Sequence, residues 1–220
     1  MENKVVNDIE EAIDIKDKDE CCENKIINCE EEIKYFKNNK VWFTKKSRME
    51  AESRVLRNDR ISNIIINYYN LLVLSVSIYT LIWESQVGVV LTTIVSVGLF
   101  GISNYMNSMN YKESAFKYRE SYLRLSKIET KLDNLILKLT SKDEKLSEFN
   151  KIKEEYDNIL ELSYNHSEID YIAVVIQSDR CNKDDIQKYN WYKIKFNVGI
   201  FIVIILPLII VGFSIIGGGR

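Results

Sequence analysis

Three stretches of the chain carry no charged side chain, and they govern the reading of the rest. Between Ile61 and Trp83 there is no Asp, Glu, Lys or Arg; after the single Glu84 none returns until Lys112; a third such stretch runs from Phe196 to Gly219. A bilayer core about 30 Å thick is crossed by roughly 20 mostly apolar residues at the helical rise of 1.5 Å. All three stretches are long enough, so the pattern predicts a two-span hairpin at Ile61–Met106 and a third span at Phe196–Ile216. The last contains the unbroken apolar run Ile200 to Leu206, whereas the first two carry Asn, Thr, Ser and Tyr and insert less strongly. The competing reading of each is a buried helix in a soluble core.

Between the spans the pattern is helical. Glu31–Arg60 has neither Gly nor Pro, which predicts one helix or two running into the first span, with an aromatic knot at Val41-Trp42-Phe43. Tyr111–Glu161 also lacks both residues, and Tyr118, Tyr122, Leu125, Leu132, Ile136, Leu139 and Leu146 recur mainly at three, four or seven. That is coiled-coil or long-bundle periodicity. Glu129 and Lys142 interrupt the seam and Thr140-Ser141-Lys142-Asp143 marks a break, so two helices are expected, Lys112–Leu139 and Lys142–Ser163, folding against the pre-span helix. Asn165-His166-Ser167-Glu168 is a turn or cap, and Ile169–Ile176 a helix or a short buried strand. Asp184 or Asp185 is placed to cap the helix entering the last span, and Pro207 should bend that span. The fold class is all-α: a transmembrane helical hairpin with long cytoplasmic helices and a third, C-terminal transmembrane helix. The divisions are an acidic leader at 1–32, a helical core at 33–178, a linker at 179–195 and the last helix at 196–216. Within the core the pre-span helix takes 33–60, the hairpin 61–106 and the cytoplasmic helices 111–176.

Charge then sets orientation. The average of 46% apolar and 28% charged residues looks soluble and hides the segregation just described. Residues 1–32 are acidic and show no basic start, short apolar core and cleavage site, so no cleavable signal is expected. Lys45, Lys46, Arg48, Arg54, Arg57 and Arg60 precede the first span, and Lys112, Lys117, Arg119, Arg124 and Lys127 follow the second. Glu84-Ser85-Gln86 between them has none, and Lys188, Lys193 and Lys195 precede the third. The positive-inside rule gives a multi-pass protein of the inner (plasma) membrane, with N-terminus and long helices cytoplasmic and C-terminus outside. All four cysteines then lie in a reducing compartment. Cys21, Cys22 and Cys29 form no paired zinc spacing, and no metal is expected.

Catalytic chemistry is sparse. His166 and Asp170 would share a face if their segment were helical, which keeps a membrane enzyme as the weakest alternative. There is no phosphate loop or nucleophile elbow. No catalytic residue, cofactor or direct nucleic-acid binding is expected. The hairpin says more. Asn63, Asn67 and Asn70 fall at i, i+4 and i+7, extended by Ser77, and amides on one face must turn towards helices, water or the interface. In the second span Thr92, Thr93, Ser96, Gly98, Gly101 and Ser103 are small enough for close helix approach. Helix packing and pore lining remain alternatives for both sets. Two helices enclose no lumen, so a pore requires a homo-oligomer in the lipid bilayer.

The run Trp42-Phe43-Thr44-Lys45-Lys46-Ser47-Arg48-Met49-Glu50-Ala51-Glu52-Ser53-Arg54 leads into the first span, and Asn165-His166-Ser167-Glu168-Ile169-Asp170 follows the long helices. Over roughly residues 35–175 this order resembles the SLATT family, two-span effectors associated with nucleotide-making and nucleotide-sensing proteins. Phe196–Ile216 and the acidic leader lie outside that two-span core. The resemblance implies an antiphage, abortive-infection type of conflict effector that perforates or depolarises the membrane. It implies a partner such as a nucleotide cyclase, a nucleotide sensor or, in one subgroup, a reverse transcriptase. Trp42, Thr44, Arg48, Glu52 and Arg54 match the lead-in motif, and an Arg–Glu network binding the hairpin base is the plain expectation for them. The alternative function is a membrane-anchored helical scaffold that recruits a cytoplasmic partner complex.

Overall fold

The computed structural model describes residues 29–82, 86–139, 141–178 and 180–218. Outside them lie the acidic leader as far as residue 28, with Cys21 and Cys22, and also Trp83, Glu84, Ser85, Thr140, Asp179, Gly219 and Arg220. Every described element is a helix. In chain order they are α1 (Cys29–Ile82), α2 (Gln86–Ser108), α3 (Tyr111–Leu137), α4 (Lys142–Glu161), α5 (Glu168–Gln177) and α6 (Lys183–Gly218). The chain divides into two compact units, one of residues 1–48 and 119–165, the other of 49–118 and 166–220.

The first unit is built on three helical segments with one core. Leu125, Ile128, Leu132 and Leu135 of α3 face Phe149, Ile152, Tyr156 and Ile159 of α4, and both sets step by three, four and three. Cys29, Ile33, Phe36 and Val41 of α1 complete the cluster. Five residues separate Phe36 from Val41, a spacing that would turn the second side chain well off the first one's face in an α-helix. A π turn over Lys37–Val41, closed by the Trp42 amide on the Lys37 carbonyl, absorbs the extra residue and keeps both on the core. Phe36 then meets Phe149 and Tyr156 edge to face at 5.6 and 5.3 Å. Burial pushes the Tyr156 phenol pKa up, against the opposing effect of its 2.9 Å hydrogen bond with the Thr44 hydroxyl.

Two expectations change here. Leu139 is fully exposed and Leu146 only partly covered, because α3 stops at Leu137 and the true seam passes through Ile128 and Leu135. The acidic leader also ends earlier than residue 32. Cys29 is buried, Glu30 pairs with Lys145 at 2.7 Å and Glu32 with Lys153 at 2.8 Å. Glu129, which interrupts the seam, pairs with Lys45.

The Glu30 pair carries a pH dependence. Its hydrogen bond from Lys145, the largest influence, holds the carboxyl below its ordinary value of 4.5. A carboxylate with a lowered folded pKa stabilises above its unfolded value and loses that contribution as pH falls through the folded one. Thermal unfolding of the full chain in detergent should therefore show stability declining below about pH 4.5, and Glu30→Gln should flatten part of that decline.

In the second unit, Ala51 and Val55 of α1 pack on Ala115 and Tyr118 of α3, closing the base of the hairpin. The segment open to helix or strand is the helix α5, with Ile172, Ala173, Val174 and Val175 all buried. The linker expected at 179–195 is much shorter. Asp185 accepts from the Asn182 amide at 3.2 Å and α6 starts at Lys183, running without interruption into the last apolar stretch. Alongside α1, α6 runs in the same direction: Arg57 lies over the Phe196 ring at 5.3 Å, and further along Tyr68 reaches Ile204. Within the described residues α1, α2 and α6 are each long and apolar enough to cross a membrane.

Candidate functional site in the hairpin and its base

Arg54 joins the two sequence segments that carry the family resemblance. Its Nε and a terminal guanidinium nitrogen donate to the two Asp170 carboxylate oxygens at 2.7 and 3.0 Å. The same carboxylate accepts from the Ser167 amide at 3.0 Å, one arm of the capping box that starts α5, and from the Ser167 hydroxyl at 2.7 Å. The Asp170 side chain is 1% exposed and that of Arg54 23%. The hydrogen bond to Asp170 leads the effects that raise the Arg54 pKa, outweighing desolvation. A carboxylate holding four donors is a structural anchor. The His166 ring stacks on Tyr171 at 6.5 Å. The acid that Arg54 meets is thus Asp170, in place of the Glu of the expected network.

Three of the other lead-in residues serve the first unit. Trp42 is half-buried against Phe43 with Lys46 over its ring, Thr44 bonds Tyr156, and the buried Arg48 donates to the Ser121 hydroxyl. Glu52 is half-buried in the second unit, where Glu50 accepts from Gln177 at 2.8 Å.

Within the spans the polar groups divide sharply. On α2, Thr93 and Ser96 are exposed but their hydroxyls bond back to the Val89 and Thr92 carbonyls at 2.8 and 2.7 Å. A Cβ added at Gly98 or Gly101 would meet nothing within 4 Å, so among the described residues no other helix packs closely on these glycines. The half-buried face of α2 is instead Gly88, Thr92, Leu99, Ser103 and Met106. On α1, Asn63, Asn67 and Asn70 are exposed and Ser77 is half-buried. Asn70 stands ten residues beyond Arg60, about 15 Å at the helical rise and so near the bilayer midplane. Placing an amide in hydrocarbon without a partner costs on the order of 2–7 kcal/mol, depending on the reference state.

Two tyrosines that sequence reasoning passed over face the opposite side of α1. The Tyr69 hydroxyl donates to the Val203 carbonyl at 2.7 Å and Tyr68 to Ile204 at 2.9 Å. Pro207 has no N–H, so the carbonyl four residues earlier, that of Val203, lacks its helical donor. Pro207 was itself the signal: an orphan carbonyl in a span calls for a hydroxyl nearby.

The family model for the SMODS and SLOG-associating 2TM effector domain family 5 matches residues 30–213. The chain belongs to this family. No curated protein and no solved structure matches it. The SLATT match runs past residue 175, the end of the resemblance carried by the sequence motifs, and takes in the apolar part of α6. This SLATT chain is accordingly a membrane effector-domain protein whose hairpin is accompanied by a third long apolar helix.

Proposed function

We propose that this SLATT chain is a non-enzymatic effector of a prokaryotic conflict system, antiphage and abortive-infection in type. Copies assemble in the inner membrane and their hairpins open an ion-leak path when a partner or signal activates them. The observation that carries this reading is the exposed amide stripe of α1. Among the described residues no helix matches the three amides reaching to mid-bilayer, whereas the hydroxyls of α2 satisfy themselves. An assembled, water-lined path would solvate them. The basic residues flanking the spans support an orientation with the long helices in the cytoplasm. There a nucleotide cyclase, a nucleotide sensor or a reverse transcriptase would be the partner that the family resemblance suggests.

The test is efflux of a small dye from vesicles reconstituted at rising protein-to-lipid ratio, which drives assembly by mass action. Leakage should rise steeply with that ratio, and the triple variant Asn63→Leu, Asn67→Leu, Asn70→Leu should insert normally and leave vesicles sealed. Sealed vesicles with the unaltered chain at every ratio would support the scaffold reading instead.

A further inference from the structure

The amide stripe belongs to a longer seam. Met49, Leu56, Asn63, Asn70 and Ser77 recur every seven residues along α1, and Asn67 and Leu74 each fall four residues after a member of that series. All are exposed except the half-buried Ser77. A sustained 3.5-residue repeat is the signature of a helix meeting another helix along its length. A face turned only to lipid needs no such register, and this one crosses from the charged pre-span turns into the hydrocarbon without changing side. Tyr68 and Tyr69 hold α6 on the far side of the helix, so α6 does not cover it.

We propose that a second copy of this chain docks on this seam, its α1 parallel and in register. Three features select that occupant. Copies inserted in one membrane share their direction, so the same α1 residue lies at the same depth in each. An amide both donates and accepts, so Asn63 and Asn70 are each complementary to their own counterpart, as buried Asn residues are when they fix register in coiled coils. At the membrane boundary, Asp59 stands about 40° to one side of Asn63 and Arg60 about 60° to the other, at 100° per residue. Two-fold pairing of parallel helices therefore brings each Asp59 towards the partner copy's Arg60. The proposal rests on the assembly part of the functional reading and is independent of whether the assembly leaks.

Disulfide cross-linking in native membranes tests it. In a full-length background with Cys21, Cys22 and Cys181 changed to Ser and the buried Cys29 to Ala, single cysteines are introduced by Leu56→Cys and Leu74→Cys on the seam. Ile64→Cys and Ser75→Cys serve as exposed positions off it. Oxidation should give several-fold more homodimer at the two seam positions than at the two controls. Equal yields, no dimer at any position, or a seam adduct with the mass of a different protein would each overturn the proposal. Vesicle leakage measured on the same variants separates the two readings. Seam cross-links in sealed vesicles remove the leak and leave the seam, and leakage without seam cross-links does the reverse.

Discussion

Arg54→Ala is expected to destabilise the hairpin base by about 3–5 kcal/mol, the range for removing one partner of a buried ion pair. The cost comes from what is left behind. Asp170 is 1% exposed and would be left with only the Ser167 amide and hydroxyl as donors. Asp170→Asn should cost less, about 1–3 kcal/mol, because the Arg54 side chain is 23% exposed and its guanidinium can turn to water. The asparagine carbonyl would also still accept from Ser167. Arg54→Lys should fall between them, since an ammonium replaces a two-pronged contact with a single one. Tryptophan-monitored unfolding of the full chain in detergent gives the ranking. Should Asp170→Asn be the more damaging of the two, the capping of α5 rather than the buried charge would be what holds the base together.

How much of this was legible in the sequence follows from which solvent imposes the pattern. Lipid excludes charge outright, so the long uncharged segments were visible without any knowledge of packing. The core of the first unit was only partly readable. Leu125 and Leu132 belong to it and Ile136 packs against it, but a stripe of leucines and isoleucines on a long polar helix supports two neighbouring registers, and the choice of Ile128 and Leu135 over Leu139 depends on where α3 ends. The π turn at Lys37–Val41 was hidden for a similar reason: a five-residue gap between apolar positions reads as noise until the partner surface demands both. Among the polar groups, composition identified the stripe of Asn63, Asn67 and Asn70 but could not say which way it faced. It likewise put His166 beside Asp170, whereas the carboxylate is taken up by Arg54, 116 residues earlier. Contacts of that sequence separation have no local signature. The ion pairs of Glu30 and Glu32 were missed on the same ground, their lysines lying far along the chain in α4.

Tyr69→Phe is expected to weaken the hold of α1 on α6 by about 1–2 kcal/mol, near the upper end for hydrogen bonds measured inside membranes. The reason it should exceed the average is specific to Pro207. The Val203 carbonyl has no amide donor four residues on, so losing the Tyr69 hydroxyl removes the side-chain donor that takes the amide's place in hydrocarbon. Tyr68→Phe should cost less, about 0.6 kcal/mol, because the helical donor to the Ile204 carbonyl is the intact amide of Leu208. A double-mutant cycle separates this account from simple packing. Pro207→Ala restores an N–H opposite Val203, so in that background Tyr69→Phe should become nearly neutral while Tyr68→Phe keeps its effect. Equilibrium unfolding in mixed micelles measures all four variants. An equal Tyr69→Phe penalty with and without the proline would mean that the hydroxyl contributes packing alone. A coupling of about 1 kcal/mol would instead make the proline and the tyrosine one device. It fixes α6 to the side of α1 away from the amides, so that Asn63, Asn67 and Asn70 stay open to another molecule.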